Sequence, residues 1–384
     1  MNGVATLALC SAIAGLGQAP DLSRGVNFET LWHGYAPAWT DDALIRRDFA
    51  RFRQDGIRHI AIQLYWYRLE GPTRGDYSGT QWGQEIYGDN FLRGVKRTIE
   101  IADEYDLQVM VGFHTLWGED DSRWCTPAYV RAFREDPQTH EYAEVPDEHG
   151  FGLSIIRDRT GETEAAFIAA VTHAVDALKG ADGIWSWALL NEPWAWPKTD
   201  WKRERFIGLI EKLAAAVHER DPRPVTVRFV NAKVWDDAQG ARRVTDLFYD
   251  DFRSDPRLFA ALDFVSFNCY DGFPHETPDE QRVRQEVLDI LARHVALCRE
   301  HGKDVWVTEF GLDTDDDAQQ AQYAREMLAE FQRLGIKGCL WWAWHGDWGG
   351  RDVKGSACGS YNLVADPLTG RPRPAYEVLA NAQP

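Results

Sequence analysis

The sequence has 384 residues, 44% of them hydrophobic, and its 42 basic and 60 acidic residues give a formal net charge of −18. A chain of this length and apolar content can bury a large core, which excludes a disordered protein. The acidic balance excludes a nucleic-acid partner, because phosphate backbones require a basic surface, and it suits a soluble protein with a neutral substrate.

Residues 1–23 differ in composition from the rest of the chain. Val4–Gly17 is an apolar run of small residues, and a possible cleavage site follows at Ala19. This pattern predicts a signal peptide and a secreted or periplasmic protein whose single domain spans 24–384. The first basic residue is Arg24, so the usual positive charge before the apolar run is missing, and an N-terminal extension of a cytoplasmic protein stays open. The run is too short to span a membrane, and we expect no membrane association.

Eight apolar, strand-like runs alternate with amphipathic helical stretches along the remaining chain. The predicted strands are Gly25–Glu29, Ile57–Trp66, Leu107–His114, Ile184–Asn191, Val225–Asn231, Phe264–Tyr270, Val305–Glu309 and Cys339–Trp344. The predicted helices are Asp41–Asp55, Asn90–Tyr105, Thr163–Lys179, Trp201–Arg220, Gln281–His301 and Asp317–Leu334, with a short helix around Val244–Phe252 and another closing the chain.

This alternation predicts an α/β fold, a single (β/α)8 TIM barrel with a long loop, Gly118–Gly161, after the third strand. A doubly wound open sheet is the competing fold. No GxGxxG or GxxxxGK[ST] run follows a strand, so a nucleotide-binding version of that sheet has no support.

Six cysteines are present, and they form no CxxC pair and match no zinc-site spacing. Cys269 and Cys339 lie in predicted strands, where a free thiol packs as a small hydrophobic group. The sequence assigns no disulfide.

Polar and aromatic side chains collect at the carboxyl ends of the predicted strands. The fourth strand runs into Asn191-Glu192 and the seventh ends at Glu309. An unpaired buried carboxylate is costly, so two such glutamates indicate a shared site, although a structural salt bridge or helix cap is the alternative for either one alone. Two facing carboxylates are the groups that glycosidic bond cleavage requires. The candidate substrate-binding residues at the other strand ends are His114, Asn191, Asn268, Tyr270, Trp342, Trp66, Trp117 and Trp194.

Asn191-Glu192-Pro193 after one apolar strand and Thr308-Glu309-Phe310-Gly311 after another resemble the retaining (β/α)8-barrel glycoside hydrolases, most closely glycoside hydrolase family 5, the cellulase and mannanase family. The resemblance covers roughly residues 24–380, strand by strand. It implies that Glu192 is the acid/base and Glu309 the nucleophile. It also implies that Asn191 hydrogen-bonds the 2-hydroxyl of the sugar and that Tyr270 hydrogen-bonds the nucleophile. His114 would line the floor of the subsite, and Trp342, followed by a strained peptide to Ala343, would form its hydrophobic platform.

The chain departs from the family pattern at two positions. Ala61 occupies the second-strand position where the family usually has an arginine, and Asn268 replaces the usual histidine two residues before the strand-six tyrosine. Arg58 and Arg228 are the two candidates for the missing positive charge.

These observations predict a retaining β-glycosidase that acts on a polysaccharide of the β-glucan or β-mannan type or on its oligosaccharides. We expect a monomer that binds carbohydrate and needs no cofactor or metal. An exo-acting β-mannosidase, β-galactosidase or β-glucosidase stays open. A barrel that binds carbohydrate without cleaving it would have lost one carboxylate. A metal-dependent hydrolase has no HxH or HExxH run to support it.

Overall fold

The computed structural model describes residues 22–28, 42–66, 69, 88–114, 161–193, 200–236, 240–246, 248, 255–271, 277–344, 361–366 and 369–382. The predicted leader at Val4–Gly17 and residues 118–160 of the predicted long loop lie outside this part of the chain. The described strands are, in chain order, β1 (Ser23–Asn27), β2 (His59–Tyr65), β3 (Gln108–His114), β4 (Ile184–Asn191), β5 (Val225–Val230), β6 (Ala232–Asp236), β7 (Arg242–Asp246), β8 (Val265–Asn268), β9 (Val305–Phe310), β10 (Gly338–Trp341), β11 (Val364–Asp366) and β12 (Arg371–Pro372).

Eight of these strands close into a parallel barrel in the order β1-β10-β9-β8-β5-β4-β3-β2. Each corresponds to one of the predicted strands, so the predicted (β/α)8 barrel is confirmed. Seven of the eight neighbouring contacts join strands that are consecutive in the barrel's chain order, and the β1–β10 pair closes the ring at Ser23↔Gly338. The parallel arrangement brings the carboxyl ends of all eight strands to one face.

Helices surround the barrel as the predicted outer layer. They are α1 (Asp42–Gln54), α2 (Gly88–Glu104), α3 (Glu162–Leu178), α4 (Asp200–His218), α5 (Pro256–Ala261), α6 (Pro278–Glu300), α7 (Asp317–Leu334) and α8 (Pro374–Asn381). Local sequence sets their ends: Thr277 and Glu280 form a capping box at the start of α6, and α7 ends at Gly335 in a left-handed conformation with φ of 66°. No described helix combines the length and the apolar character that crossing a membrane requires.

The connection between β5 and β8 differs from the prediction. The described start of the helix predicted around Val244–Phe252 is instead the end of strand β7, which pairs antiparallel with β6. Residues 247 and 249–252 lie outside the described part of the chain, and α5 follows later. Strand β7 already uses the apolar residue that the predicted helix required, Val244, as a cross-strand partner of Val234. Asp255 and Pro256 then start α5, because the Asp255 side chain accepts a hydrogen bond from the Arg257 backbone and proline suits the first helical position.

Aromatic rings pack together at the amino-terminal end of the barrel. His59 at the start of β2 contacts Trp185 and Trp306 edge-on, with ring centroids 5.3 and 4.9 Å apart, and Trp185 stacks on Phe264. These rings fill that end of the barrel, so the opposite end is the one available for a site. Cys269, Cys298 and Cys339 are buried free thiols, in agreement with the prediction for Cys269 and Cys339.

Candidate active site

The two predicted glutamates lie at the carboxyl end of the barrel. Glu309 belongs to β9 and is 5% exposed, and Glu192 directly follows β4. Asn268 at the end of β8 reaches towards Glu192 by donating from Nδ2 to Glu192 Oε1 over 3.0 Å. Asn268 is also the register partner of Glu309 on the adjoining strand β9, so both carboxyl groups lie beside the same asparagine and share one site.

Glu309 is held by donors from three different parts of the barrel, two strands and a residue that follows a third. Arg228 on β5 donates from Nη2 to Oε1 over 2.7 Å, and Gln63 on β2 donates to the same oxygen over 3.1 Å. Tyr270, just after β8, donates its hydroxyl to Oε2 over 2.8 Å. Both carboxylate oxygens are therefore occupied, which fixes the orientation of the side chain.

Glu192 has a different environment, in which its side-chain donor is the Asn268 amide and no cation of the described residues lies at hydrogen-bonding distance. Its backbone is left-handed, with φ of 47°, a conformation that costs a non-glycine residue free energy and is concentrated at functional sites. The backbone N–H of Glu192 donates to the Arg228 carbonyl over 2.8 Å, which secures that conformation.

The pKa values of the two carboxyl groups follow from these environments. Burial, and then the charge of Glu309, raise the pKa of Glu192 to about 7, against the opposing effects of the Asn268 bond and Arg228. Burial also raises the pKa of Glu309, but Arg228, Tyr270 and Gln63 all favour its ionised form. The site can therefore hold one protonated and one ionised carboxyl group near neutral pH.

Tyr270 stays a hydrogen-bond donor in this site. Burial, followed by the charge of Glu309, raises the pKa of its hydroxyl well above the ordinary value. Asn268 is oriented in a similar way, since its Oδ1 accepts from Thr308 Oγ1 over 3.0 Å and its Nδ2 is left to donate to Glu192 and to Asn191 Oδ1. Thr308 thus orients Asn268 so that its amide, a donor that does not titrate, points to the Glu192 carboxyl group.

Several predicted substrate-binding residues lie around the two glutamates. Asn191 is buried and contacts Asn268, and Trp342 donates its backbone N–H to Phe310 next to Glu309. The peptide bond from Trp342 to Ala343 is cis. His114 at the end of β3 stacks on Tyr65 with ring centroids 4.5 Å apart.

Trp66 is not a sugar platform, in contrast to the prediction. Its side chain is 1% exposed and contacts Phe167 of α3 edge-on, with ring centroids 5.1 Å apart. A ring buried between a strand and an outer helix has no free face for a sugar, so Trp66 belongs to the packing of the core. Trp117 and Trp194 lie outside the described residues, and their roles stay predictions.

Gln63 is a site residue that was not among those predicted from the sequence. A glutamine inside the apolar strand β2 was the available signal, because a polar residue at an inward position needs a partner. The structure also separates the two candidate cations: Arg228 faces Glu309, whereas Arg58 donates to the backbone carbonyls of Arg53 and Ile57. Among the described residues, no group of three or more His, Cys, Asp or Glu side chains is arranged to hold a metal ion.

The raised pKa of Glu192 predicts that Glu192→Gln stabilises the protein at alkaline pH. In the unfolded chain Glu192 ionises near 4.5, and in the folded protein near 7, so the glutamate loses stability as the pH rises between these values. Glutamine avoids this loss. We expect a gain in the free energy of unfolding of about 1–3 kcal/mol at pH 8 that fades below about pH 5.

Chemical denaturation at pH 5 and pH 8 measures this effect. Glu300→Gln, an exposed position at the end of α6, serves as the matched control and should change the unfolding free energy little at either pH. An equal gain for Glu192→Gln at both pH values would contradict the assigned environment of Glu192.

Comparison with known proteins identifies similar chains. The family model described as "Cellulase (glycosyl hydrolase family 5)" matches residues 23–347. No curated protein matches the chain. Among solved structures, an endo-1,4-beta-D-mannanase from Thermotoga petrophila RKU-1 is 17% identical with a TM-score of 0.60, and the alignment covers 94% of this chain and 100% of that one.

Two further solved structures come from one group of proteins. GH5_18 from Streptomyces cattleya in complex with GlcNAc is 16% identical with a TM-score of 0.63, covering 95% of this chain and 80% of that one. A GH5_18 variant from Bifidobacterium longum subsp. longum in complex with Manb1-4GlcNAc is 17% identical with a TM-score of 0.60, covering 94% and 78%. Similarity at this level of identity establishes the fold alone.

Proposed function

The chain belongs to glycosyl hydrolase family 5, the cellulase family, and is therefore a retaining glycoside hydrolase; from that premise we propose that Glu309 is its nucleophile and Glu192 its acid/base. The observation that carries this assignment is the unequal surroundings of the two carboxyl groups. Glu309 accepts hydrogen bonds from a cation, a phenol and an amide, whereas the pKa of Glu192 is raised to about 7. An attacking group must be ionised and a proton donor must be protonated, and this asymmetry meets both needs.

The reaction proceeds in two displacements. Glu309 attacks the anomeric carbon while Glu192 gives its proton to the departing glycosidic oxygen, so that a glycosyl ester forms and the leaving group departs as an alcohol. The ester carries no negative charge, so the electrostatic contribution that raises the pKa of Glu192 disappears. Glu192, now ionised, takes a proton from water as the water attacks the same carbon and releases Glu309.

The neighbouring side chains have supporting roles in this proposal. Asn191 binds the 2-hydroxyl of the sugar at the cleavage point, and Tyr270 holds the nucleophile through its 2.8 Å bond to Glu309 Oε2. Trp342 supplies an apolar platform beside Glu309, and His114 lines the floor of the subsite. The proposed contacts to the sugar rest on the positions of these residues at the carboxyl ends of β3, β4 and β10.

The proposed substrate is a β-linked polysaccharide of the glucan or mannan type, or its oligosaccharides. An endo-1,4-beta-D-mannanase among the similar folds favours the mannan type. A second candidate is exo-action on small β-glycosides, which the complex of a similar fold with the disaccharide Manb1-4GlcNAc favours. The predicted signal peptide supports, as a proposal only, a secreted or periplasmic location for this activity.

The configuration of the first product tests the mechanism. Proton NMR of the reaction on an aryl β-glycoside should show the β-anomer of the free sugar first, with the α-anomer appearing only by mutarotation. Initial release of the α-anomer would overturn double displacement. In parallel, a time course on soluble β-mannan and β-glucan distinguishes the two substrate proposals: mixed oligosaccharides at the outset indicate endo-action, and monosaccharide alone indicates exo-action.

A further inference from the structure

The cation that faces Glu309 comes from the middle of strand β5. We propose that Arg228 is a positioning residue that fixes the Glu309 carboxylate in one orientation and in its ionised form. This inference rests on the proposed nucleophilic role of Glu309. It concerns a residue that would act through the nucleophile, without contact to the sugar, because Arg228 is fully buried beneath it.

One nitrogen of Arg228 makes the relevant contacts. Nη2 donates to Glu309 Oε1 over 2.7 Å, to Asn27 Oδ1 over 2.7 Å and to the Thr308 carbonyl over 2.9 Å. Asn27 cannot turn its amide away, because its Nδ2 donates to the carbonyls of Thr308 and Trp341 over 2.9 and 3.3 Å. The guanidinium is thereby tied to β1 and to the backbone of β9 immediately before Glu309.

Gly112 on β3 lies close to this side chain, because a Cβ atom there would be 3.8 Å from Arg228 Nη1, at van der Waals contact. Ala188 on the adjoining strand β4 and Ala61 on β2 are small buried residues. Arg228 Nε and Nη1 have no hydrogen-bond partner among the described residues. The hydrogen bonds of the guanidinium to described residues are therefore all made by Nη2, the nitrogen that faces Glu309.

A purely structural ion pair is the alternative, and electrostatics distinguishes it from a positioning role. The charged or titratable described groups that face Glu309 are Arg228 from β5, Tyr270 after β8 and Glu192 after β4. Arg228 is the cation among them, and it lowers the pKa of Glu309 against the effect of burial. Loss of this charge would raise the pKa of Glu309, so a smaller share of molecules would hold an ionised Glu309 beside a protonated Glu192.

The test compares the pH dependence of kcat/KM in three variants. For Arg228→Met we expect a loss of about 10²- to 10³-fold at the optimum and an acidic limb that moves up by about one pH unit or more. Arg228→Lys keeps a positive charge and should recover part of the acidic limb. Arg58→Met is the matched control: its guanidinium binds the backbone carbonyls of Arg53 and Ile57, so its profile should match the wild type.

An acidic limb that stays in place in Arg228→Met, or identical profiles for the Met and Lys variants, would overturn the positioning role. If Arg228→Met does not fold, Asn27→Ala removes one anchor of Nη2 and should move the limb in the same direction by a smaller amount; an unmoved limb there also rejects the proposal. Glu309→Gln separates the two levels of inference. Full activity of that variant would reject the proposed nucleophile, whereas inactivity combined with an unmoved limb in Arg228→Met would reject only the role of Arg228.

Discussion

Replacing Glu309 with glutamine is expected to lower kcat by about four to six orders of magnitude on any β-glycoside that the enzyme accepts. The amide cannot attack the anomeric carbon, so the first displacement does not take place, however good the leaving group. Glutamine keeps the shape of the side chain, and the fold should survive. The measurement is hydrolysis of an aryl β-glycoside, together with circular dichroism to verify the folded state.

Glu309→Ala should lose the same activity for the same reason and should also lose stability. Alanine leaves the buried guanidinium of Arg228 without its 2.7 Å partner, and an uncompensated buried charge costs about 3–5 kcal/mol. The comparison of the two variants therefore separates chemistry from packing. Near-normal hydrolysis by the glutamine variant would remove Glu309 from the mechanism.

Azide provides a positive control for the alanine variant. The small anion can occupy the space that the carboxylate leaves and attack the anomeric carbon of an activated aryl glycoside from the same side as Glu309 would. One displacement inverts the configuration, so the product is an α-glycosyl azide, and the aryl group departs as phenolate. A β-glycosyl azide from this variant would contradict the assignment of Glu309 as nucleophile.

The sequence was sufficient to predict the barrel, because the signals involved are local. Each buried parallel strand reads as an apolar run, and each outer helix has its own periodicity and caps, such as Thr277 at the start of α6. The strand-end positions of Glu192 and Glu309 follow from the same patterns. The carboxyl ends of parallel strands meet at one face, so chemistry-bearing residues that are distant in sequence can be assigned to one site.

Features that depend on strand register and tertiary packing could not be predicted from the sequence. Sequence could name Arg58 and Arg228 as alternative cations, but only the barrel closure decides which of them faces Glu309. The burial of Trp66 depends on the position of α3, in particular on Phe167. The start of the predicted helix at Val244 is part of strand β7, since Val244 fits either an apolar helical stripe or a paired strand.

Glu192→Ala is expected to show a loss that depends on the leaving group, which distinguishes an acid/base from a nucleophile. On natural glycosides, whose alcohol leaving group needs a proton, kcat/KM should fall by about 10²- to 10⁴-fold. On an aryl glycoside with an acidic phenol, the first displacement needs little protonation and kcat/KM should fall far less. The second displacement lacks its base in either case, so the glycosyl enzyme should accumulate and a burst of phenol should precede slow turnover.

Two further measurements complete this argument. The alkaline limb of the pH profile, which we assign to loss of the Glu192 proton near its pKa of about 7, should disappear in Glu192→Ala. Azide needs no base, so it should accelerate turnover by attacking the accumulated ester at Glu309. Two displacements retain the configuration, and the expected product is a β-glycosyl azide, opposite to the one from Glu309→Ala. The same anomer from both variants would show that the two carboxyl groups do not divide the roles of nucleophile and acid/base as their different hydrogen-bond partners indicate.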